Sequence, residues 1–458
     1  MAFLLQIPYF CIVQNKVTFK QILQLAIPAI IAGIAEPLLS ITDTAIIGNV
    51  TLNATEALAA VGIAGSFISA LIWVLAQTRS AISAITSQYL GAGRLKEIQS
   101  LPAQIIGVNF VISLLLFFIT TYFAKNIFAF YHADGLILQY ATSYYKIRAF
   151  GLPFTLFTFT VFGVFRGLQN TYIPMLISII GAVINVLLDF LLVYGITGWI
   201  PSLHVEGAAL ASLIAQIIMA ILSWYFLINK TSFRLKIKMP FNKEMKRLLV
   251  LSFNLFIRTL TINIALYLSN AYATDYGKDY IAAQTIAFQI WLFFAFFMDG
   301  FSSVGNIISG KLLGERNYKK MFTLIKSLIT YTLIVSLVLG FICFIFYKPI
   351  GAIFTKDKKV LLLFYQIFWI VIIMQPINAI AFIFDGVFKG LAEAVSLRNV
   401  LLFATIFGFI PALLLSDYYN LKLYAIWIAF TIWMLLRAFL LYLIFNRKYL
   451  YRIKKATH

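Results

Sequence analysis

Two aspartates, an asparagine and a serine stand inside stretches of the chain that are otherwise strongly apolar. Each lies among small or polar residues at spacings of three and four, which put side chains on one face of a helix. The two stripes are Ala29, Gly33, Glu36, Ser40 and Asp43, then Ser178, Gly181, Asn185 and Asp189. A third helix begins with EGAALAS, whose small residues permit close packing and whose last residue is Ser212.

These four polar residues predict a cation site. A charge at mid-membrane costs about 2.5–3.5 kcal/mol and usually faces a bundle interior or a water-filled path. Asp43, Asn185, Asp189 and Ser212 offer the oxygen ligands that suit Na⁺. Two carboxylates in one apolar pocket also repel each other, so the pair favours binding a proton. The ion is left open, as is a structural reading in which the aspartates cap neighbouring helices or pair with Arg79.

Two prolines interrupt the first stripe, at Pro28 and Pro37. Each removes a backbone hydrogen bond and bends a helix, so both are candidate hinges. Glu36 directly precedes Pro37, and it either contributes to the cleft or occupies a cavity at the kink. Proline kinks also occur in static membrane helices.

The second half of the chain carries its own polar residues within apolar runs. Asn254 and Arg258 share one helix face, and Asp299 and Asp385 each precede a glycine. An arginine and carboxylates in one lobe predict either a structural ion pair or contacts with a substrate. Large apolar side chains near Asp299 would bind flat cations by stacking and cation–π contacts if they line a cleft. These are Phe288, Trp291, Phe294, Met298 and Phe301, of which Trp291 and Met298 are cleft candidates.

The elements that must position these residues are membrane-spanning helices. The 458 residues are 62% hydrophobic and 11% charged, against about 25% charged in soluble domains. A spanning helix needs about 20 apolar residues. Twelve runs have that character: 22–48, 57–88, 101–124, 138–164, 173–195, 207–228, 248–272, 281–309, 322–347, 360–384, 399–416 and 424–445. The predicted fold class is therefore all-α integral membrane.

The net charge of +20 follows the loops and does not indicate a nucleic-acid partner. With the N-terminus inside, 24 of the 36 Lys and Arg fall in inner loops and seven in outer loops, four of them between Lys348 and Lys359. This bias predicts two cytoplasmic termini. Cys11 and Cys343 match no metal or disulfide spacing, and the start of the chain lacks the basic region of a cleaved signal peptide.

The two halves of the chain align when the sequence is shifted by the distance from Pro153 to Pro376. Under this repeat offset Gly163 and Gly167 fall on Gly386 and Gly390. Each unit contains six helices, an even number, so the repeats enter the membrane from the same side and are parallel. The predicted organisation is a lobe at 1–228, a basic cytoplasmic linker at 229–247 and a lobe at 248–458, which suits alternating access.

Several stretches resemble the multidrug and toxic compound extrusion (MATE) family of the MOP superfamily, and within it the DinF-like branch. They are DTAIIGN with EALAAVGIA, SQYLGAG, GLPFTLFTFTVFGVFRGLQNTYIPM, INVLLDFLLVYG with EGAALAS, and FFMDGFSSVGNIISGKLLG with FDGVFKGLAEA. Their order and their doubling carry the resemblance over nearly the whole chain.

The resemblance implies an antiporter of the plasma membrane that exports organic, typically cationic and lipophilic, compounds in exchange for H⁺ or Na⁺. The family's first-lobe cation site maps onto Asp43, Asn185 and Asp189, with Ser212 where a threonine is common. Arg258 stands in the helix where some branches carry an acid, so the coupling site is placed in the first lobe. No cofactor is implied, and a monomer surrounded by lipid is expected.

Two other functions remain in view. A flippase of the same superfamily would move lipid-linked precursors, with Arg79, Arg258 and Arg437 contacting phosphate. A prenyl-diphosphate transferase would need clustered Mg²⁺-binding carboxylates, and the sequence shows no such cluster. His132, His204 and His458 lie in predicted loops or the tail, so an enzyme is not expected.

Overall fold

A computed structural model describes residues 18–48, 53–131, 133–195, 199 and 201–450, apart from the side chains of residues 35–41 and 450. Cys11, His132, His458 and the side chains of Glu36 and Pro37 lie outside the described residues. The described part of the chain is helical and contains no β-strand.

Eighteen α-helices form the described chain. They are α1 Phe19–Ile47, α2 Ala54–Leu75, α3 Gln77–Gly91, α4 Leu101–Tyr122, α5 Ala124–Phe130, α6 Gly135–Ala149, α7 Leu152–Gly167, α8 Tyr172–Tyr194, α9 His204–Lys230, α10 Met245–Asp275, α11 Lys278–Gly314, α12 Tyr318–Ile345, α13 Tyr347–Phe354, α14 Lys358–Ile373, α15 Gln375–Gly390, α16 Ala394–Ala404, α17 Ile410–Tyr418 and α18 Leu423–Phe445. A π-helical turn, Thr405–Phe409, joins α16 to α17.

The predicted membrane spans are confirmed. Among the described residues, nine spans are long and apolar enough to cross a bilayer, and two bent pairs, α6 with α7 and α14 with α15, add two more. Helix α1 covers the remaining predicted run and continues past both Pro28 and Pro37. The all-α architecture of twelve transmembrane helices follows.

Proline explains both bent spans. Pro153 is the second residue of α7 and Pro376 the second residue of α15. A proline has no N–H to donate, so it fits the first turn of a helix, whereas in an interior, as in α1, it leaves one backbone hydrogen bond unmade. Each long span therefore restarts at its proline, with bends of 47° at the first and 49° at the second.

Helix α8 shows how the spans distinguish core from lipid. Its polar and small residues, among them Asn185 and Asp189, are buried. The opposite face is apolar and exposed, with Val183 at 52% and Leu187 at 64% exposure. Such a helix places its costly polar groups toward protein and its aliphatic side chains toward the hydrocarbon.

The chain separates into two compact units. One comprises residues 28–263 and 392–398, and the other residues 1–27, 264–391 and 399–458. Three of the four boundaries fall inside α1, α10 and α16, and the fourth falls between α15 and α16. Most of the first predicted repeat therefore lies in the former unit, here called the first unit, and most of the second repeat in the latter, here called the second unit.

In each unit, a glycine allows two helices to pack closely, and the two glycines are related by the repeat offset. A Cβ on Gly163 would overlap the carbonyl oxygen of Arg79, and a Cβ on Gly386 would overlap that of Ser302. Arg79 and Ser302 are themselves related by the repeat offset. The helix pairs α3 with α7 and α11 with α15 are thus packed in equivalent register, which only residues without a side chain permit.

The segment between α9 and α10 is tied to the first unit. Gln104 on α4 donates to the carbonyl of Lys238 at 2.6 Å and accepts from the backbone N–H of Asn242 at 2.8 Å. Arg247, in the first turn of α10, donates to Gln88 on α3 at 2.6 Å. The basic linker is therefore held by specific hydrogen bonds to α3 and α4.

Gly386→Ala is expected to destabilise the protein by about 1–3 kcal/mol, because the new methyl group meets backbone that has no rotamer by which to move away. Gly62→Ala is the matched control, since nothing lies within 4 Å of the position of its Cβ and alanine favours a helix. Thermal unfolding of the two purified variants in detergent measures the difference. An unchanged midpoint for Gly386→Ala would contradict the close packing of α11 on α15.

Candidate cation-coupling site

Asp43 is fully buried in the first unit and receives three hydrogen bonds on a single oxygen. The hydroxyls of Tyr144 and Ser212 donate to Oδ2 at 3.0 and 2.9 Å, and Nη1 of Arg148 donates at 3.1 Å. These donors come from α6 and α9, while Asp43 belongs to α1. One carboxylate oxygen therefore joins three helices.

Asn185 and Asp189 complete the cluster from α8. The amide of Asn185 lies 3.0 Å from Oγ of Ser212. When the side-chain amide is oriented so that both its oxygen and its nitrogen make hydrogen bonds, the nitrogen donates to Oδ2 of Asp189 at 3.3 Å. Both side chains are completely buried. The structure thus brings together all four residues of the predicted cation site.

The spacing within each helix explains this convergence. Asn185 and Asp189 are four residues apart and share one face of α8, as Tyr144 and Arg148 do on α6. Gly181, one turn before Asn185, leaves so little space that a Cβ there would overlap the side chain of Met219 on α9. Close packing of α8 on α9 follows, and it places Ser212 beside Asn185.

Tyr144 and Arg148 were not predicted as site residues. Arg148 ends in an ion pair with Asp43 in which the two side chains are 9% and 1% exposed. The arginine of the alternative reading, Arg79, does not pair with Asp43, and its guanidinium lies 5.1 Å from the centre of the Phe159 ring. The signal available in the sequence was an arginine inside a predicted span, since such a charge needs a carboxylate partner.

The second unit contains a separate buried ion pair. Nη2 of Arg437 on α18 donates to Oδ2 of Asp385 on α15 at 2.6 Å, with both side chains at most 5% exposed. The guanidinium also lies 4.9 Å from the centre of the Trp433 ring. Of the two predictions made for Asp385, the arrangement provides the structural ion pair.

The other cleft candidates occupy varied surroundings. In the first unit Arg258 is buried, and Asn254 accepts a hydrogen bond from Arg398 at 2.6 Å. In the second unit Asp299 is half-buried and Met298 is fully buried. Trp291 is stacked between Phe288 and Phe430, at centroid distances of 5.6 and 6.3 Å.

Comparison with known proteins identifies the family of this chain. The MatE family model matches residues 28–191 and 255–414, well over half of the chain. The chain belongs to the MatE family. The two MatE matches end at Leu191 and Leu414, two positions that the repeat offset places on each other.

MatE relatives extend the comparison. The chain is 24% identical to DNA damage-inducible protein F of Escherichia coli K12, over 93% of this chain and 92% of that protein. It is 30% identical to Protein DETOXIFICATION 42 of Arabidopsis thaliana over 67% of this chain, and the match spans only 58% of the plant protein. A multidrug resistance MATE family transporter of the MOP superfamily superposes with a TM-score of 0.83 at 20% identity, over 95% and 96% of the chains. The fold is that of a MatE membrane transporter.

Arg437→Met is expected to destabilise the protein by about 3–5 kcal/mol, because it removes the guanidinium that pairs with the buried charge of Asp385. The double variant Asp385→Leu/Arg437→Met is expected to recover most of that loss, since an apolar contact replaces the ion pair at little net cost. Thermal unfolding of the wild type and of the single and double variants measures the coupling. If the loss of stability in the double variant equals the sum of the losses in the single variants, the two side chains do not act as a coupled pair.

Proposed function

We propose that this protein is a secondary antiporter that exports organic, cationic and lipophilic compounds in exchange for inward H⁺ or Na⁺. The observation that carries the proposal is the convergence of Asp43, Asn185, Asp189 and Ser212 from three helices into one buried cluster. Membership of the MatE family and the fold of its transporters support the same activity.

The cluster has the properties that coupling requires. Two carboxyl groups lie in surroundings without exposure to solvent, so the charge state of one strongly affects the other. Oδ1 of Asp189 is buried and receives no hydrogen bond from any described donor. An entering cation finds there an oxygen whose polarity is not yet satisfied.

In the proposed exchange, the substrate and the coupling cation compete for the negative charge of Asp43 and Asp189. While both carboxylates are ionised, the protein holds a cationic substrate. A cation from outside then neutralises the carboxylates, α1 shifts at Pro28 and Pro37, and the substrate leaves outward. Exchange of one proton for one monovalent cation moves no net charge, so the membrane potential cancels and each pH unit supplies about 1.36 kcal/mol. One coupled proton therefore sustains a substrate gradient of about tenfold for each pH unit.

Other residues have proposed roles in the substrate path. Trp291 and Met298 would contact a flat cation only in a state that exposes them, since Met298 is fully buried and Trp291 is stacked between two rings. Asp299 offers a half-buried carboxylate. Arg79, Arg258, Glu36 and Asp385 belong to the same proposal as polar groups lining or supporting the cleft. The transporter works as a monomer in the plasma membrane with both termini cytoplasmic and needs no cofactor.

The flippase is the second candidate, and it depends on basic contacts to phosphate. Of its three proposed arginines, Arg437 is already bound to Asp385 in the second unit, with a side chain only 4% exposed. This arrangement favours the antiporter. Movement of a lipid-linked precursor without export of any organic cation would favour the flippase instead.

Asp43→Asn is expected to abolish gradient-driven transport, because an amide carries no negative charge for the entering cation to neutralise. The measurement uses purified protein in liposomes with an imposed pH or Na⁺ gradient, and it follows a fluorescent lipophilic cation. Glu97→Gln is the control, since Glu97 is an exposed carboxylate that pairs with Arg94 outside the cluster.

Transport by Asp43→Asn at the wild-type rate with the wild-type pH dependence would contradict a coupling role for Asp43. Loss of transport in both variants would point to general damage, which the elution profile and unfolding midpoint of each variant reveal.

A further inference from the structure

The linker between α9 and α10 has an apolar side as well as a basic one. Its apolar and basic residues alternate, with Phe233, Leu235, Ile237 and Met239 separated by Arg234, Lys236 and Lys238. We propose that residues 233–241, here called the linker strip, form a surface that binds anionic phospholipids of the membrane. Lipid binding at the linker strip does not depend on the proposed antiport.

The linker strip lies along a side of α4 that faces lipid. A Cβ built on Gly107 would be 3.2 Å from Cδ1 of Ile237, so the isoleucine packs on the second turn of α4. Phe110 and Val111, three and four residues further, share this side of the helix and are 51% and 56% exposed. Ile237 therefore extends an apolar surface that the hydrocarbon covers.

Hydrogen bonds to α4 hold the linker strip in this position. The buried amide of Gln104, three residues before Gly107, donates to the carbonyl of Lys238 at 2.6 Å. The same amide accepts from the backbone N–H of Asn242 at 2.8 Å. The location of the strip beside α4 is thus set by the protein before any lipid binds.

The apolar side of the linker strip leaves the protein interior along its length. Phe233, at its start, is 3% exposed. Ile237, Met239 and Phe241 are 60%, 69% and 52% exposed. Water is an unfavourable environment for such neighbouring apolar side chains. The boundary between headgroups and acyl chains would accommodate them, as it does the apolar faces of interfacial segments.

The basic side of the linker strip is not compensated within the described part of the chain. Arg234, Lys236 and Lys238 are exposed, and none of them forms an ion pair with a described carboxylate. Glu244 is the one acidic residue between positions 229 and 247, and it pairs with Arg247 at 3.1 Å. Three neighbouring cations therefore face an anionic partner from outside the protein.

An anionic phospholipid matches both sides of the linker strip at once. Clusters of basic residues beside a membrane-spanning helix bind anionic headgroups, with a gain of roughly fivefold in affinity for each residue. A soluble phosphate would contact only the basic side. A zwitterionic lipid would cover the apolar side but offers no net charge to the three cations.

Binding is tested by the unfolding midpoint of the protein, purified in a neutral detergent, as phosphatidylglycerol is added to the micelles. The wild type is expected to be stabilised by phosphatidylglycerol but not by phosphatidylcholine. The triple variant Arg234→Gln/Lys236→Gln/Lys238→Gln is expected to need at least about tenfold more phosphatidylglycerol for half of its stabilisation, because three charges are removed.

The matched control is Lys356→Gln/Lys358→Gln/Lys359→Gln, which removes three exposed lysines from the loop before α14 and its first turn. Its titration with phosphatidylglycerol is expected to equal that of the wild type. Equal stabilisation by phosphatidylcholine, or an unchanged titration of the linker-strip variant, would overturn the proposal. Equal stabilisation of the wild type by free glycerol phosphate would also overturn it and assign the basic side to a soluble anion.

The depth of the linker strip in a bilayer tests its apolar side without the triple variant. A fluorophore is attached to Met239→Cys or Lys236→Cys, each in a Cys11→Ser/Cys343→Ser background, in nanodiscs that contain phosphatidylglycerol. A nitroxide on the acyl chain close to the headgroup is expected to quench the label at position 239 at least about twofold more than the label at position 236. Equal quenching at the two positions would show that the apolar side does not insert and would overturn the proposal.

Discussion

A charge in the hydrocarbon core of a bilayer has no water to bind, and this constraint organises both units of the protein. Asp43 and Asp385 each face an arginine on another helix, Arg148 in the first unit and Arg437 in the second. Buried ion pairs of this kind add little net stability, but losing one partner is costly. Each pair therefore fixes which helices lie side by side more than it strengthens the fold.

The two repeats share their helix bends and close helix contacts but not their buried polar residues. The bends at Pro153 and Pro376 and the close glycine contacts recur at the same repeat offset. The polar residues do not. Under that offset the positions of Asp43, Tyr144, Arg148, Asn185 and Asp189 fall on Leu266, Ile367, Val371, Gly408 and Ala412. In the opposite direction, Asp385 falls on Phe162. The polar cluster around Asp43 is thus a property of one repeat, as the proposed coupling site in the first unit requires.

Sequence periodicity was enough to predict the spans, the repeat and four residues of the cluster. All depend on spacing along one helix or on a constant register, which a single sequence displays directly. Arg148 escaped prediction for the opposite reason. Its partner is distant in the sequence and belongs to another helix, and only the packing of α6 against its neighbours decides that the arginine meets Asp43 and not another carboxylate. The placement of Asp385 beside Arg437 depends on tertiary packing in the same way.

The position of Arg148 relative to the proline bend connects scaffold and chemistry. Arg148 lies in the last turn of α6, directly before the break that Pro153 imposes on the span. The second repeat has an equivalent break but carries Val371 in the corresponding place. A bend alone therefore requires no charge, and an apolar residue satisfies the same backbone geometry. A buried arginine at such a position is costly unless it is paired, and its pairing with Asp43 ties the end of α6 to α1. Any event that changes the charge of Asp43 must then alter the contact between α1 and α6, and the proposed coupling between ion and substrate would act through this contact.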